Sequence, residues 1–416
     1  MAITEVRPAP SRGRRARLAV VLGSLAAFGP LTIDMYLPAM PGMARELHTS
    51  APMVQLTLTV FVIGLALGQV VAGPLSDAWG RRRPLLAGMA LYVAGSLWCA
   101  LAPDVGWLIA GRAVQSLGAA TGVVLSRAIV RDLFEGTAMT RFFSTLMLVN
   151  GAAPILAPVI GGQLLAVATW QAVFLVLAGF GTVLSLAVVL ALPESLPADR
   201  RRSGFRDTSR AFRVLVTDRH YLRYVLAAAL MFAAVFAYIS GSSFVLQDVY
   251  GLSAQQYSLV FAANGLGIVV FGQLNGLIVG RVAGEHTLLR TGLTVAVLGA
   301  AGVLVCAAAR LPLPALLVCL FVVVSMLGVV LANATSLALA GHARSAGAAS
   351  SLQGLLQFLV AGLAASAMSL AGQSTAVPMA TTMLACAAAA LAVLLLLRPR
   401  VALLLRPRVA PDRLDR

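Results

Sequence analysis

The stretch GPLSDAWGRRRP, from Gly73 to Pro84, is a short polar connection between two long apolar runs. Gly73 and Gly80 predict tight backbone bends, because glycine reaches conformations that other residues rarely adopt. Asp77 can accept hydrogen bonds or face a helix N-terminus, and the three arginines after Gly80 suit the anionic surface of a membrane. The stretch therefore predicts a tight basic turn between two apolar helices.

The composition of the whole chain predicts a membrane protein. Of its 416 residues, 60% are hydrophobic and only 11% are charged, whereas soluble domains are about half apolar and about a quarter charged. Apolar runs recur from Leu18 to Leu397. A run of about 20 residues, at about 1.5 Å per residue, crosses a hydrocarbon core of about 30 Å. The expected fold class is therefore an all-α membrane protein.

The runs predict twelve transmembrane helices in two six-helix pseudo-repeats. The predicted spans are 18–38, 53–72, 84–102, 106–128, 141–166, 171–192, 221–244, 255–279, 288–309, 313–338, 348–371 and 376–397. We expect a tail over 1–17, helical bundles over 18–192 and 221–397, a polar linker over 193–220 and a basic tail over 398–416. Three residues recur at a constant offset of 204, which supports a duplication: Gly68, Gln69 and Gly80 correspond to Gly272, Gln273 and Gly284.

The charge pattern predicts the orientation. All 31 basic residues are arginine, and most lie in the two tails and in every second connection. Since positive charge is enriched on the cytoplasmic side of membrane proteins, both termini are expected in the cytoplasm. A net charge of +16 could also serve nucleic acid, but no soluble domain or aromatic-rich basic surface accompanies it, so no nucleic-acid partner is expected.

Several kinds of chemistry are excluded by the residue types. Without lysine, the chain has neither a phosphate-binding loop that could hydrolyse ATP nor a Schiff base for pyridoxal phosphate. The cysteines and histidines show no ligand spacing, so we expect no metal and no cofactor, and an enzyme is not expected. The basic start and the apolar run after it lack a convincing cleavage site, which predicts an uncleaved first span.

The stretch from Gly73 to Pro84 resembles the signature loop of the major facilitator superfamily, which locks the cytoplasmic side of the two halves in that family. The resemblance implies a gating loop that consists of Gly73, Asp77, Gly80, Arg81 and Arg82. Ala78 stands where the family usually has arginine, which leaves open a weaker lock or one that relies on Arg81 and Arg82. An ordinary solvated loop is the alternative. At the equivalent place in the second half Arg281 replaces Asp77.

The fifth span contains NGAAPILAPVIGG, from Asn150 to Gly162. Its two prolines predict a bent helix, and the small residues around them let another helix approach closely. The stretch resembles the motif that marks antiporters within the superfamily, with Ala157 where glycine is usual. This resemblance favours export and assigns the motif to Pro154, Pro158, Gly161 and Gly162. A kinked packing helix is the alternative.

The first span contains an aspartate, Asp34, within LTIDMYLPAM, from Leu31 to Met40. A charged side chain at the bilayer centre costs about 2.5–3.5 kcal/mol, so Asp34 needs a partner, a wet cavity or a proton. Arg112 is similarly embedded in the fourth span and can lie at the same depth. Burial favours the neutral acid and a nearby guanidinium favours the carboxylate, so movement between the two could load and release a proton. A structural ion pair, or a cap on a helix broken at Pro38, is the alternative.

Four stretches and the double-proline span resemble the bicyclomycin and chloramphenicol resistance branch of the drug/proton antiporters. The stretches are TIDMYLPAMP (Thr32 to Pro41), LGQVVAGPLSDAWGRRRP (Leu67 to Pro84), IAGRAVQSLGAA (Ile109 to Ala120) and AGAASSLQG (Ala346 to Gly354). The resemblance implies a monomeric exporter in the bacterial plasma (inner) membrane, with a central cavity and alternating access. The proton-coupling residues of the branch map onto Asp34 and Arg112.

The predicted function is proton-coupled efflux of small, partly apolar drugs such as phenicols or bicyclomycin, with the drug, protons and the lipid bilayer as partners. Export of a physiological metabolite, such as a sugar, an amino acid or a self-made antibiotic, is the alternative. A receptor or scaffold without transport is a further one. Five polar residues are candidates for the cavity wall: Tyr36, Gln115, Asn150, Asn333 and Gln357.

Overall fold

The computed structural model of the chain describes residues 12–134, 136–201, 212–340, 342, 346–370 and 375–397. Within these ranges the chain is almost entirely helical. The helices are α1 (Arg12–Ala26), α2 (Phe28–Asp34), α3 (Met40–Glu46), α4 (Ala51–Trp79), α5 (Arg82–Ala100), α6 (Val105–Leu133), α7 (Gly136–Leu164), α8 (Gln171–Ala191), α9 (Arg219–Phe244), α10 (Ala254–Ile278), α11 (Glu285–Ala308), α12 (Leu313–Leu339), α13 (Ala346–Leu370) and α14 (Val377–Leu396). The predicted tail over 398–416, most of the tail over 1–17 and the linker residues 202–211 lie outside the described residues.

The predicted membrane character is confirmed by helix length and composition. Within the described ranges, nine helices are long and apolar enough to cross a membrane, and a bent pair, Arg17–Ala26 with Phe28–Glu46, makes a tenth candidate. The other two predicted spans correspond to α5, which begins with two arginines, and to α7, whose apolar part is Leu148–Leu164. The expected fold class, an all-α membrane protein, is therefore correct.

The first span differs most from its predicted form. It consists of α1, α2, a 3-10 turn (Leu37–Ala39) and α3. It bends by 46° between Ala26 and Phe28, where α1 ends and α2 begins. Pro38 and Pro41 explain the 3-10 turn between α2 and α3, because proline donates no backbone hydrogen bond to the residue four positions earlier. The span therefore extends to Glu46, beyond its predicted end at 38.

The second span is longer than predicted, and one expected bend is wrong. Helix α4 continues to Trp79, so Gly73 lies inside the helix, where Ser76 donates a hydrogen bond to its carbonyl (2.7 Å). The bend predicted at Gly80 is confirmed, since its φ is +88°. The connection to α5 is therefore only Gly80 and Arg81, which is shorter than the sequence pattern suggests.

The helices form two halves, α1–α8 and α9–α14, that contact each other through equivalent elements. Helix α4 packs on α13, and α7 packs on α10. The recurring glycines have equivalent roles inside each half, because a Cβ on Gly68 would lie 2.6 Å from Ala120, whereas Gly272 faces Gly328 at 3.7 Å. Small residues thus let α4 approach α6 and α10 approach α12.

The molecule has a linker end and an opposite, far end. The linker end holds residues 192–201 and 212–218, and the far end holds the turns between α3 and α4 and between α9 and α10. At the far end α9 finishes in a π-helical turn, Val245–Val249. Turns of this kind occur frequently at functional sites.

Candidate functional site

Asp34 is the last residue of α2, and its side chain is only 4% exposed. Its carboxylate has no hydrogen bond and no ion pair with any described residue. The C-terminus of a helix carries partial negative charge, so Asp34 does not cap α2. It lies within electrostatic range of Tyr238 and Tyr257, which belong to the other half. Among the described residues, neither an ion pair nor a helix cap accounts for its position.

Arg112 is completely buried in α6, and its guanidinium is enclosed by aromatic rings. The guanidinium carbon lies 4.4 Å from the ring centre of Tyr36 and 4.2 Å from that of Phe61. Its Nη1 donates to the carbonyl of Thr32 (3.2 Å) and to Oε1 of Gln115 (2.8 Å). Nε and Nη2 have no hydrogen-bond partner among the described residues. The cation is therefore stabilised by ring faces and carbonyl oxygens, without a carboxylate.

Arg112 and Asp34, the two residues predicted to couple protons, do not contact each other. Arg112 contacts α2, the helix that contains Asp34. Arg112 holds the carbonyl of Thr32, which precedes Asp34 by two residues in α2. The hydroxyl of Thr32 donates to the carbonyl of Phe28 (2.6 Å) and lies 2.7 Å from the hydroxyl of Tyr92. Arg112 can therefore respond to a displacement of α2 without a direct contact with Asp34.

The gating-loop residues form a network inside the N-terminal half. Arg81 is 7% exposed, so the expectation that it faces the membrane surface is wrong. Its Nε donates to Asp132 (2.8 Å), and its Nη1 donates to Asp77 and to Ser76. Asp132 lies near the end of α6 and was not predicted as a partner. The network joins α4, the turn and α6 through partly buried charge-assisted hydrogen bonds.

Glu194, the first acidic residue after α8, completes this network. Its carboxylate accepts from the backbone N–H groups of Arg81 (2.8 Å), Arg82 (3.2 Å) and Leu196 (3.0 Å). Burial alone would raise the pKa of Glu194, but these three donors outweigh it and lower the pKa below its ordinary value. A Cβ on Gly80 would lie 2.5 Å from the Glu194 carboxylate, so glycine is required there for space as well as for conformation.

The antiporter motif in α7 provides close contacts on two sides. A Cβ on Gly161 would collide with the carbonyl of Met35, next to Asp34, and one on Gly162 would collide with Ser258 of α10. Gln255 also donates to the carbonyl of Gly162 (3.0 Å). Helix α7 is continuous through Pro154 and Pro158. The two glycines therefore bring the irregular part of the first span and the other half against one helix.

The five candidate cavity residues separate into two groups. Gln115 bonds Arg112 and Ser96, Asn333 bonds Asn275 (2.6 Å), and Tyr36 is buried beneath Arg112. These three side chains are therefore committed to packing and hydrogen bonding in this arrangement. Two candidates have free donors or acceptors: half-buried Asn150 bonds only its own helix at the carbonyl of Leu146, and half-buried Gln357 has no hydrogen-bond partner among the described residues.

The sequence of the chain matches a known protein family. The Major Facilitator Superfamily matches residues 22–369. The chain belongs to this superfamily. It is 40% identical over 380 residues to an MFS-type transporter of Bacillus subtilis, YdgK, and the match covers 90% of this chain and 93% of YdgK.

A second relative shows which branch of the superfamily the chain resembles. The bicyclomycin resistance protein homolog of Haemophilus influenzae is 32% identical over 368 residues, which cover 88% of this chain and 92% of the relative. The predicted resemblance to the bicyclomycin resistance branch is thereby confirmed. A solved bacterial homolog of the human lysosomal transporter Spinster superposes with a TM-score of 0.72 at 14% identity, over 93% of this chain and 96% of that one. This superfamily member is therefore a multi-pass membrane transporter.

Proposed function

We propose that the protein exports small, partly apolar compounds, such as phenicols or bicyclomycin, in exchange for protons and by alternating access. The observation that supports this best is Asp34, a buried carboxylate without an ion pair or hydrogen bond to the described residues. A carboxylate in such a place is costly when charged, and it is far less costly when it holds a proton. Asp34 therefore suits a group that takes up and releases a proton during transport.

We propose that Arg112 couples the loss of the Asp34 proton to a movement of the first span. Its guanidinium bonds the carbonyl of Thr32 and has two nitrogen atoms without a partner. Once Asp34 loses its proton, a movement of α2 toward these free donors would pair the two charges. Substrate binding between the halves would then compete with proton binding at Asp34, and this competition is the basis of exchange.

The arginine-rich connections support an orientation in which the linker end lies in the cytoplasm of a bacterial cell. The gating network of Arg81, Asp77 and Asp132 would then lie at the cytoplasmic side of the inner membrane. One proton that moves down a potential of 100 mV releases about 2.3 kcal/mol, which sustains a substrate gradient of about fiftyfold. No bond in the substrate is made or broken.

The proposal is tested by proton release from acid-loaded inverted vesicles, followed with a pH-sensitive dye. Chloramphenicol, florfenicol and bicyclomycin are added in turn to vesicles with the wild-type protein, with Asp34→Asn or with Asp199→Asn. Asp199 is exposed in the linker, so its substitution makes the same chemical change outside the site. We expect a drug-dependent signal from the wild type and from Asp199→Asn, and none from Asp34→Asn.

Two results would contradict the proposal. A full signal from Asp34→Asn would show that Asp34 does not carry the exchanged proton. The absence of any signal from correctly inserted wild-type protein, with all three compounds, would favour a metabolite exporter. The amount of inserted protein is measured for each variant, so that a lost signal is assigned to transport rather than to folding.

A further inference from the structure

Two polar residues at the far end of α9 contact the irregular part of the first span in the other half. Ser243 is fully buried, and its hydroxyl donates to the carbonyl of Leu37 (2.5 Å). Gln247 follows one turn later, and its Nε2 donates to the carbonyl of Pro38 (3.1 Å). Both contacts cross from the C-terminal to the N-terminal half.

The Leu37 carbonyl can accept from Ser243 because of a proline. In an α-helix the carbonyl of Leu37 would accept from the N–H of residue 41, but residue 41 is proline and has none. The chain forms a 3-10 turn instead, in which the N–H of Met40 bonds the Leu37 carbonyl. That carbonyl has a second lone pair, and Ser243 occupies it. Since Leu37 is buried, an unsatisfied acceptor position there would be unfavourable.

The donors are arranged so that each hydrogen has one destination. One hydrogen of Gln247 Nε2 goes to the carbonyl of Pro38, and the other goes to the hydroxyl oxygen of Ser243 (2.9 Å). Because that oxygen accepts from Gln247, the single hydroxyl hydrogen of Ser243 is directed to Leu37. Carbonyl oxygens can only accept, so the direction of the whole network is determined. Such a network is complete only while the two halves touch.

The same end of the molecule carries three further contacts between the halves. Gln55 donates to the carbonyl of Ser240 (3.0 Å), and Gln255 donates to the carbonyl of Gly162 (3.0 Å). Arg45 and Asp248 form an exposed ion pair at 3.2 Å, which is expected to contribute little because it is solvated. Among these contacts, only those of buried Ser243 and half-buried Gln247 reach the 3-10 turn of the first span.

We propose that Ser243 and Gln247 are positioning residues that form a far-end latch: they bind the Leu37 and Pro38 carbonyls and so stabilise the closed far end. Opening of the far end breaks both bonds and exposes the carbonyls to water or substrate. This inference rests on the alternating access proposed above, and it assigns that motion to a segment that begins three residues after Asp34.

The latch is tested by double electron–electron resonance on full-length protein in lipid nanodiscs. Spin labels are attached at Ser50→Cys and Val249→Cys, which are exposed positions on the two halves at the far end. The four native cysteines are replaced by alanine. The ratio of long to short distances then measures the ratio of open to closed far ends.

We expect this ratio to rise about threefold in Ser243→Ala and about tenfold when Gln247→Met is added, since a hydrogen bond between membrane helices contributes modestly. Ser240→Ala is the matched control, because Ser240 is a buried serine of the same helix whose hydroxyl has no partner among the described residues. Its ratio should equal that of the wild type.

The latch is overturned if Ser243→Ala and Ser240→Ala give the same ratio, or if Gln247→Met alone leaves the ratio unchanged. A variant that fails to fold shows no defined distances, and the other single variant then decides. The distances are measured without a proton gradient and without a drug. The distance ratios can therefore support the latch even if proton-coupled efflux fails. Conversely, the difference in proton release between wild type and Asp34→Asn does not depend on the latch.

Discussion

The two halves of the molecule share a helical plan but differ in what they bury. Among the described residues, the N-terminal half buries the charged side chains of Asp34, Arg81 and Arg112, whereas the C-terminal half buries only that of Arg223. The C-terminal half uses neutral pairs instead, such as Asn333 with Asn275. The C-terminal half therefore packs with a single buried charge among the described residues, whereas the N-terminal half holds three.

The largest effect is expected from a comparison of Arg112 and Arg223, two buried arginines that have no carboxylate partner among the described residues. Arg112→Ala removes charge-assisted hydrogen bonds worth about 1.5–3 kcal/mol each, which corresponds to a tenfold to hundredfold loss of drug-dependent proton release. Arg223 bonds the carbonyl of Leu394 and lies 3.2 Å from His286, away from Asp34. Arg223→Ala should lower stability but keep transport per folded molecule. Equal losses of transport in the two variants would contradict the comparison.

A second pair compares the gating loop with its counterpart. Arg81→Gln breaks the contacts with Asp77 and Asp132, and we expect a loss of about 1–3 kcal/mol, less than for a fully buried pair. Asp77 is 44% exposed, which reduces the effect. Arg281→Gln should change stability by less than about 0.5 kcal/mol, because Arg281 is exposed. Thermal unfolding in detergent, followed by a dye that reacts with the buried cysteines, measures both.

The recurring glycines provide a third pair. Gly80 has φ +88° and ψ 170°, a conformation that is almost restricted to glycine, so Gly80→Ala should cost about 1–3 kcal/mol. Gly284 has φ −76° and open space around its Cβ position. Gly284→Ala should therefore cost less than Gly80→Ala in the same unfolding assay, with only the small penalty of alanine at the N-cap of α11. A neutral Gly80→Ala would show that the turn has another favourable conformation.

A smaller effect is expected for the neutral pair of the C-terminal half. Asn333→Ala removes the bond to Asn275 at 2.6 Å, and hydrogen bonds between membrane helices are worth about 0.6 kcal/mol on average. Proton release per folded molecule should stay at the wild-type level. A strong loss of transport in Asn333→Ala would instead place this pair in the transport pathway, as the sequence first suggested.

The smallest effect should come from Glu194, and it should disappear in acid. Its lowered pKa means that its contribution to stability is fully present above about pH 4.3, the ordinary pKa of glutamate, and is lost as the pH falls through the lower folded value. Wild type and Glu194→Gln should therefore differ in melting temperature at pH 7 and converge toward pH 3. A difference that persists at pH 3 would show that the carboxylate charge is not what stabilises the loop.

Some features of the site were predictable from the sequence because they break a local rule. Asp34 and Arg112 stand out as charges in apolar runs, and Gly80 stands out between a helix end and three arginines. Both arguments need only the cost of a charge in hydrocarbon and the conformational freedom of glycine. The roles of these residues in transport remain predictions, which the experiments above test.

Other features could not be predicted because they depend on residues far apart in the chain. Glu194 follows Gly80 by more than a hundred residues, and only packing brings its carboxylate to the start of α5. The orientation of Arg81 toward Asp132, rather than toward lipid, has the same origin. Gly73 was misread because a glycine inside a helix and a glycine in a turn look alike in sequence.

The sequence by itself determined the membrane solvent, the twelve spans, the two repeats and the positions of the embedded charges, because hydropathy and charge cost act on each segment separately. Only the tertiary structure decided which groups those charges meet. It gave Arg112 aromatic faces and the Thr32 carbonyl instead of Asp34, and it placed Ser243 and Gln247 on carbonyls of the opposite half. Hydrogen bonds act over about 3 Å, so their partners are determined by how helices pack, which a one-dimensional pattern does not contain.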